Sequence, residues 1–204
     1  MKTSITILVL FTFLNTFSQK KGFSGGLYVG AVTSQVDGDN HAGYSKFGVN
    51  FGIFSQYNLT KTLNARLELG YINKGSKFTD AKTATCYTLI VNYIEIPIYI
   101  TYKPLHIKKI TQLSFDLGLA PSILIKAKED ATCSKPIEPY IDVKKVDLNL
   151  LAGINWSVNK KINIGVRFLY SIIPIRKIKG NPNNDIFNRG QYNNAIVLNL
   201  FFTL

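Results

Sequence analysis

Apolar and polar residues alternate along most of this chain, and no other feature limits its fold so strongly. Neighbouring side chains of a β-strand point to opposite faces, so strict alternation predicts strands with one apolar and one polar face. In residues 146–156, every even position is apolar and the odd positions are mostly Asp, Asn and Gly. Segments that follow this rule lie at residues 23–33, 47–53, 63–71, 90–101, 113–120, 146–157, 162–171 and 196–204. The alternation predicts an all-β chain.

The connections between these segments alternate in length. Short ones lie at residues 58–62, 104–110 and 159–161, whereas the longer polar ones include 34–45 and 177–190. Short turns at one rim and long loops at the other are typical of bacterial outer-membrane barrels. A strand needs about 9–11 residues to cross a bilayer, and an even strand number places both chain ends at the short-turn rim. The sequence therefore predicts an eight-stranded antiparallel up-and-down transmembrane β-barrel.

The apolar face of such a sheet can contact lipid or can form the core of a soluble protein. A soluble β-sandwich or lipocalin-like barrel explains the alternation equally well, because its polar face would meet water. Aromatic residues near the strand ends favour the membrane barrel, since Trp and Tyr concentrate at membrane–water interfaces. These residues are Tyr57, Tyr71, Tyr87, Tyr102, Trp156, Tyr170 and Tyr192.

Residues 1–18 have the pattern of a secretory signal peptide. Lys2 precedes an apolar run at residues 5–14, and Thr16 and Ser18 supply small residues before a cleavage site. A membrane-spanning helix needs about 20 apolar residues, which this run does not reach. We expect export, with residues 19–204 forming the barrel domain.

Composition and motifs argue against several classes of function. The formal net charge is +12, but we expect no nucleic-acid partner for an exported protein. The sequence contains no nucleophile elbow, phosphate-binding loop or zinc spacing, and its two histidines, His41 and His106, are predicted at opposite rims. We therefore expect neither an enzyme nor a protein with a metal or cofactor.

Four longer segments carry a family signature. They are GLYVGAVTSQVDGDN, FGVNFGIFSQYNLTKTLNARLELGYINKGSKF, NYIEIPIYITYKP and LLAGINWSVNKKINIGVRFLYSI. Together with an exported start that ends in FSQ, these segments resemble the PorT-type outer-membrane β-barrels of Bacteroidetes. The resemblance covers essentially all of residues 19–204 and implies the same barrel. The founding member of that family is implicated in a secretion apparatus, so the resemblance implies an envelope or secretion role.

The chain has two cysteines, and both are predicted in loops at the outer rim. Cys86 precedes the fourth strand and Cys133 follows the fifth. In an oxidising compartment two such residues form a disulfide readily, although two separate thiols remain the alternative.

Charged residues on the polar face are predicted to point into the lumen. They are Arg66, Glu68, Glu95, Asp116, Asp147 and Arg167. An eight-stranded barrel has an interior just wide enough for side chains to fill, and unpaired charges there are costly. We therefore expect an interlocked charge network that plugs the lumen, with a conducting path as the alternative.

Basic residues concentrate in the outer loops and at the adjoining strand ends. They are Lys126, Lys128, Lys135, Lys144, Lys145, Arg176, Lys177, Lys179 and Arg189. One hypothesis is that they pair with the phosphates of lipopolysaccharide in the outer leaflet. The alternative is that they only keep the rim solvated.

We interpret the chain as a monomeric, integral outer-membrane barrel with a structural or interaction role. Its outer loops are expected to contact outer-membrane lipid, lipopolysaccharide or an envelope protein. One alternative is transport of small solutes through a narrow pore, which conductance would reveal. Another is a soluble periplasmic barrel that binds an apolar ligand and is released by osmotic shock.

Overall fold

The computed structural model of the chain describes residues 22–39, 43–80, 85–104, 112–130, 142–177 and 190–204. Within these ranges the chain forms ten β-strands. The strands are β1 (Phe23–Asp37), β2 (Lys46–Asn58), β3 (Leu63–Asp80), β4 (Thr85–Glu95), β5 (Ile98–Tyr102), β6 (Leu113–Asp130), β7 (Val146–Ser157), β8 (Ile162–Ser171), β9 (Arg176–Lys177) and β10 (Gly190–Thr203). None of the described residues forms a helix that is long and apolar enough to span a membrane.

The strands form one antiparallel sheet that closes on itself. Except for β4 with β5 and β8 with β9, strands that follow one another in sequence pair in the sheet, and β10 returns to pair with β1 over residues 192–203. β4 and β5 share one place in the wall because both pair with β3 and with β6. The two-residue strand β9 pairs only with β10, so the ring has eight wall positions. The predicted eight-stranded up-and-down barrel is confirmed.

The break between β4 and β5 lies at Pro97, which has no backbone N–H to donate. The neighbouring strands still satisfy the backbone there, because Glu68 N donates to Pro97 O at 2.9 Å and Ile96 N donates to Pro121 O at 2.8 Å. A register shift between Asn92 and Tyr93 marks a bulge in the same wall. Prolines and bulges of this kind bend a strand without leaving a free sheet edge.

The apolar face of the sheet points outward. Leu117 is 64% exposed, Ile98 56% and Leu198 52%, and the outward positions on every long strand carry similar side chains. Arg66 and Glu95, on the other face, are buried. A soluble barrel needs the opposite arrangement, so the soluble alternative is wrong for this fold. The exposed Tyr57, Tyr102 and Trp156 lie at the short-turn rim, where an interfacial belt is expected.

The inward face is less uniformly polar than the sequence pattern predicts. A buried apolar cluster fills the end of the barrel nearer the long loops. It contains Val32, Val36, Ile72, Leu89, Val91, Tyr93, Tyr99, Ala120, Leu151, Leu169, Ile175, Ala195 and Val197. A second cluster of Tyr28, Phe54 and Phe201 lies further towards the short-turn rim. Both clusters consist of residues at inward positions, where the alternation predicts polar side chains.

The narrow interior depends on a glycine at a close contact. A Cβ added to Gly70 of β3 would lie 2.0 Å from the hydroxyl oxygen of Tyr28. Any larger residue at position 70 would therefore displace that ring.

β3 and β6 are longer than a bilayer requires. Each has 18 residues, more than the 9–11 or so needed to cross a bilayer, so both strands extend beyond the apolar band towards the long loops.

Candidate functional site

The centre of the lumen is crossed by an ion pair between opposite walls. Arg167 of β8 and Glu68 of β3 lie four positions apart in the ring of eight. Arg167 Nη1 is 2.8 Å from Glu68 Oε2, and Arg167 Nη2 is 2.9 Å from Glu68 Oε1. Both side chains are almost completely buried. Parallel bonds of this kind between a guanidinium and a carboxylate are strong and fix both side chains in orientation.

Asp116 and Tyr99 also contact Arg167. Arg167 Nη2 lies 3.6 Å from Asp116 Oδ2, and the guanidinium carbon lies 4.7 Å from the ring centre of Tyr99. The Tyr99 hydroxyl accepts from Arg167 and donates to Glu68. Asp116 also accepts hydrogen bonds of 2.8 Å from the side chains of Thr101 and Asn155. The guanidinium of Arg167 therefore links two buried carboxylates.

Arg66 lies next to this ion pair but bonds to neutral groups. Arg66 Nη2 and Nε donate to Gln56 Oε1 at 2.6 and 3.1 Å, and Nη1 donates to the Tyr99 hydroxyl at 3.2 Å. The guanidinium also faces the rings of Phe54 and Phe201, at 4.7 and 5.0 Å from their centres. We call Arg66, Glu68, Tyr99, Asp116 and Arg167 the central network.

Glu95 pairs with a lysine that the sequence analysis missed. Lys74 Nζ lies 2.7 Å from Glu95 Oε1, and both side chains are buried. The Ser122 hydroxyl donates to the same carboxylate oxygen at 3.1 Å. The predicted third strand ends at residue 71, whereas β3 continues to Asp80. Counting every second residue onward from Glu68 along the longer strand would have placed Lys74 in the lumen.

Asp147 is fully buried and is held by neutral donors. It accepts hydrogen bonds from Ser171 Oγ at 2.8 Å, Asn193 Nδ2 at 2.8 Å and Asn149 Nδ2 at 3.2 Å. It belongs to no ion pair among the described residues. Asn149 Nδ2 also donates to Ser122 Oγ at 3.4 Å, which links Asp147 to Glu95. All six charges predicted to face the lumen are thus buried within it, in two groups rather than in one continuous path.

Arg176 lies inside the long-loop end of the barrel. Arg176 Nη1 and Nη2 each lie 3.3 Å from a Glu129 carboxylate oxygen, and Arg176 is only 5% exposed. Tyr87 donates to Glu129 Oε1 at 2.6 Å. Burial and then this carboxylate raise the pKa of Tyr87 above its ordinary value. Arg176 is therefore a buried ion-pair partner and not a lipid contact, because its side chain turns inward above the apolar cluster.

One of the aromatic residues assigned to an interfacial belt points elsewhere, because Tyr87 lies on the inward face of β4 and bonds to Glu129. Tyr192 shares the outward face of β10 with Ile196 and Leu198, but it is only 8% exposed because it stacks on Tyr170 with ring centres 6.4 Å apart. An aromatic residue near a strand end therefore need not meet lipid.

The other predicted site residues are distributed along the outer part of the barrel. Lys126 and Lys128 are exposed on β6, Lys145 is exposed before β7, and Lys144 is partly buried. Lys128 forms an exposed ion pair with Asp130 at 3.6 Å. Lys177 belongs to β9. Lys135, Lys179 and Arg189 lie outside the described residues, as do both histidines.

Cys86 lies within β4, opposite Thr79, and not in a loop as predicted. Its predicted partner Cys133 lies outside the described residues, so the disulfide remains a prediction. In the described part of the chain, no group of three or more His, Cys, Asp and Glu side chains is arranged to hold a metal ion.

Comparison with known proteins places this barrel among outer-membrane proteins. The family described as "Outer membrane protein beta-barrel domain" matches residues 17–177. Among solved structures, Neisserial surface protein A is similar with a TM-score of 0.51 and 12% identity, over 89% of this chain and 99% of that chain. Ail of Yersinia pestis, solved with the heparin analogue sucrose octasulfate, has a TM-score of 0.48 and 12% identity over 90% and 99%. CarO of Acinetobacter baumannii has a TM-score of 0.47 and 11% identity over 86% and 97%. No curated protein matches the sequence.

Proposed function

Since this chain belongs to the family of the outer membrane protein beta-barrel domain, and is thus an outer-membrane protein, we propose that it serves as a closed barrel with a structural or interaction role. Its lumen does not conduct, and the part of the barrel beyond the outer leaflet makes the functional contacts. We propose a monomer, since the ring of strands closes within one chain and leaves no wall edge that must pair with another copy.

The observation that carries the proposal is the filling of the lumen at two levels. The central network joins β3 to β8 across the middle of the barrel. Nearer the long loops, the apolar cluster is covered by the buried pair of Arg176 and Glu129. An ion would have to separate a buried ion pair and then cross an apolar layer, and both steps are costly. The filling therefore favours a plug over the narrow pore.

Conductance of purified protein in a planar bilayer tests the plug. We expect no channel events from the unmodified chain and none from Glu95→Gln, because the central network and the apolar cluster remain in place. Glu95→Gln should still lower the stability of the barrel, since it leaves the Lys74 ammonium buried without a carboxylate. A general porin recorded in the same bilayer provides the positive control. Discrete channel events from the unmodified chain would favour solute transport instead.

We propose anionic lipid as one partner of the outer part of the barrel. Lys126 and Lys128 are exposed on the outward face of β6, directly beyond the exposed Ile123 and Ile125 of the apolar band. Lys126 pairs in register with Asn92, and Lys128 with Ile90, on the outward face of β4. Lysines just beyond a hydrocarbon layer lie at the depth of lipid phosphates, where each contributes about 1 kcal/mol of attraction. This placement supports contact with the phosphates of lipopolysaccharide.

Replacing both lysines with glutamine should weaken binding of purified lipopolysaccharide to the detergent-solubilised barrel. At about 1 kcal/mol for each charge, we expect a loss on the order of 30-fold at low salt, measured by thermophoresis. Lys61→Gln with Lys161→Gln is the matched control, because these exposed lysines lie in turns at the other rim. Affinity that is equal in both double variants, or independent of salt, would contradict the proposal.

A finer assignment to the PorT-type barrels of Bacteroidetes, with a secretion-associated envelope partner, is also proposed. Its support is that the signature segments form distinctive parts of the barrel. NYIEIPIYITYKP spans the break between β4 and β5 at Pro97, and LLAGINWSVNKKINIGVRFLYSI forms most of the hairpin of β7 and β8. Loss of extracellular secretion on deletion of the chain would be the expected phenotype of such a member.

A further inference from the structure

The short-turn rim opens into a cavity of about 490 Å³ inside the barrel. Residues from the start of β1, the end of β10 and the turns at this rim line it, and Arg66, Thr101 and Asn155 form its inner end. Thr101 and Asn155 both bond to Asp116 of the central network, so the cavity ends where the network begins. In an outer-membrane barrel the short turns face the periplasm, and we call this cavity the periplasmic vestibule.

The charges that line the vestibule all have one sign. Arg66 lies on β3, Lys103 directly follows β5, and Lys160 lies in the turn between β7 and β8. Among the described lining residues there is no Asp or Glu. The remaining lining is mostly hydroxyl and amide side chains, which donate hydrogen bonds readily. The vestibule is therefore a polar pocket of positive potential.

The nearest carboxylates form their ion pairs with Arg167 and not with these cations. Glu68 and Asp116 both contact Arg167, and Asp116 lies directly behind Thr101 and Asn155 at the inner end of the vestibule. None of the three lining cations takes part in an ion pair among the described residues. With the Asn64 amide oriented so that its oxygen accepts, Lys103 Nζ lies 2.9 Å from that neutral oxygen.

Lys103 responds to this environment. Burial, and then the positive charge of Arg66, lower the pKa of Lys103 from its ordinary value, and the charge of Asp116 offsets a smaller part of this shift. An ammonium that is partly desolvated next to a guanidinium is stabilised by any anion that enters between them.

We propose that the periplasmic vestibule binds a small soluble anion that carries a phosphate group. A phosphate dianion carries both charges on one compact group that several cations can contact at once, whereas a dicarboxylate spreads them over two groups. Guanidinium and ammonium groups are the usual partners of phosphate. The volume falls in the range of small-ligand pockets and leaves room for an organic group beyond the phosphate. A lipid headgroup is a poor occupant, because the site lies inside the lumen and the wall separates it from the bilayer.

Calorimetric titration of the full chain in octyl glucoside, which has no phosphate, tests this inference. The probes are inorganic phosphate, glycerol phosphate and succinate. We expect saturable binding of both phosphates, weakened by sodium chloride, and at least tenfold weaker binding of succinate. Lys103→Gln combined with Lys160→Gln should reduce phosphate affinity at least tenfold. Lys61→Gln is the matched control, because Lys61 is exposed at the same rim and does not line the vestibule.

A second measurement uses only the unmodified chain, so its outcome does not depend on whether a variant folds. Acetylation of the unmodified barrel by an amine-reactive ester, read by mass spectrometry, should be slowed by phosphate at Lys103 and Lys160 but not at Lys61. The inference is overturned if phosphate does not bind saturably, if it binds the double variant as tightly, or if it protects the three lysines equally. Succinate that binds as tightly as phosphate would overturn the assignment to phosphate.

Discussion

Replacing Arg167 with methionine should lower the free energy of unfolding of the barrel by about 3–5 kcal/mol. The guanidinium lies between Glu68 and Asp116, and both carboxylates are buried. Removing one partner of a buried pair leaves the other charge without compensation in a medium of low dielectric constant. Urea titration in lipid vesicles measures the effect, with the fluorescence of Trp156, the only tryptophan, as the reporter.

Lys128→Met provides the matched control for that variant. Its partner Asp130 is also partly exposed, and such surface pairs contribute less than about 1 kcal/mol. Combining Arg167→Met with Glu68→Gln should recover part of the loss, because one uncompensated carboxylate is removed. If Arg167→Met destabilised the barrel no more than Lys128→Met, the central network would not hold the walls together.

Replacing Leu198 with arginine should destabilise the membrane-inserted barrel by about 2–4 kcal/mol. Leu198 is 52% exposed and lies between Ala31 of β1 and Val166 of β8, within the apolar band of all three strands. An arginine there would have to enter the hydrocarbon core of the bilayer. Unfolding from lipid vesicles measures the cost.

The matched control is Leu204→Arg, at the end of the last strand. Leu204 is 69% exposed at the short-turn rim, where an arginine reaches water and costs about 0–1 kcal/mol. A soluble barrel would tolerate both variants about equally, since both positions would face water. Equal effects of the two variants would therefore contradict the assignment of the outward face to lipid.

The alternation was enough to predict the strands of the wall because a β-strand repeats its facing every two residues. The stretch 146–157 gave β7 almost residue for residue. The same rule failed where the inward face is apolar. Leu151, Leu169 and Val197 are buried in the lumen cluster, so they break the alternation that identifies an outward face. Periodicity separates two faces but does not say how each of them is filled.

The charge network was predicted in its members but not in its pairing. Their alternating positions on the strands placed Glu68 and Arg167 in the lumen. Their contact could not be predicted in this way, because the two residues lie 99 positions apart in sequence on opposite walls. Lys74 was missed because β3 continues past the end of its apolar run. Arg176 was assigned to the surface because a loop sequence does not reveal that a strand end folds inward over the barrel mouth.

By itself the sequence determined the order of the wall strands and which residues share the apolar face of each strand. These follow from local periodicity and from connection lengths, both of which are properties of neighbouring residues. Only the tertiary structure decided which lumen charges meet, where the apolar cluster closes the outer end, and that three cations line a vestibule at the other end. Those features require the sheet to close. Ring closure places strands that are distant in sequence on opposite sides of a lumen, and this lumen is narrow enough for side chains from the two sides to touch.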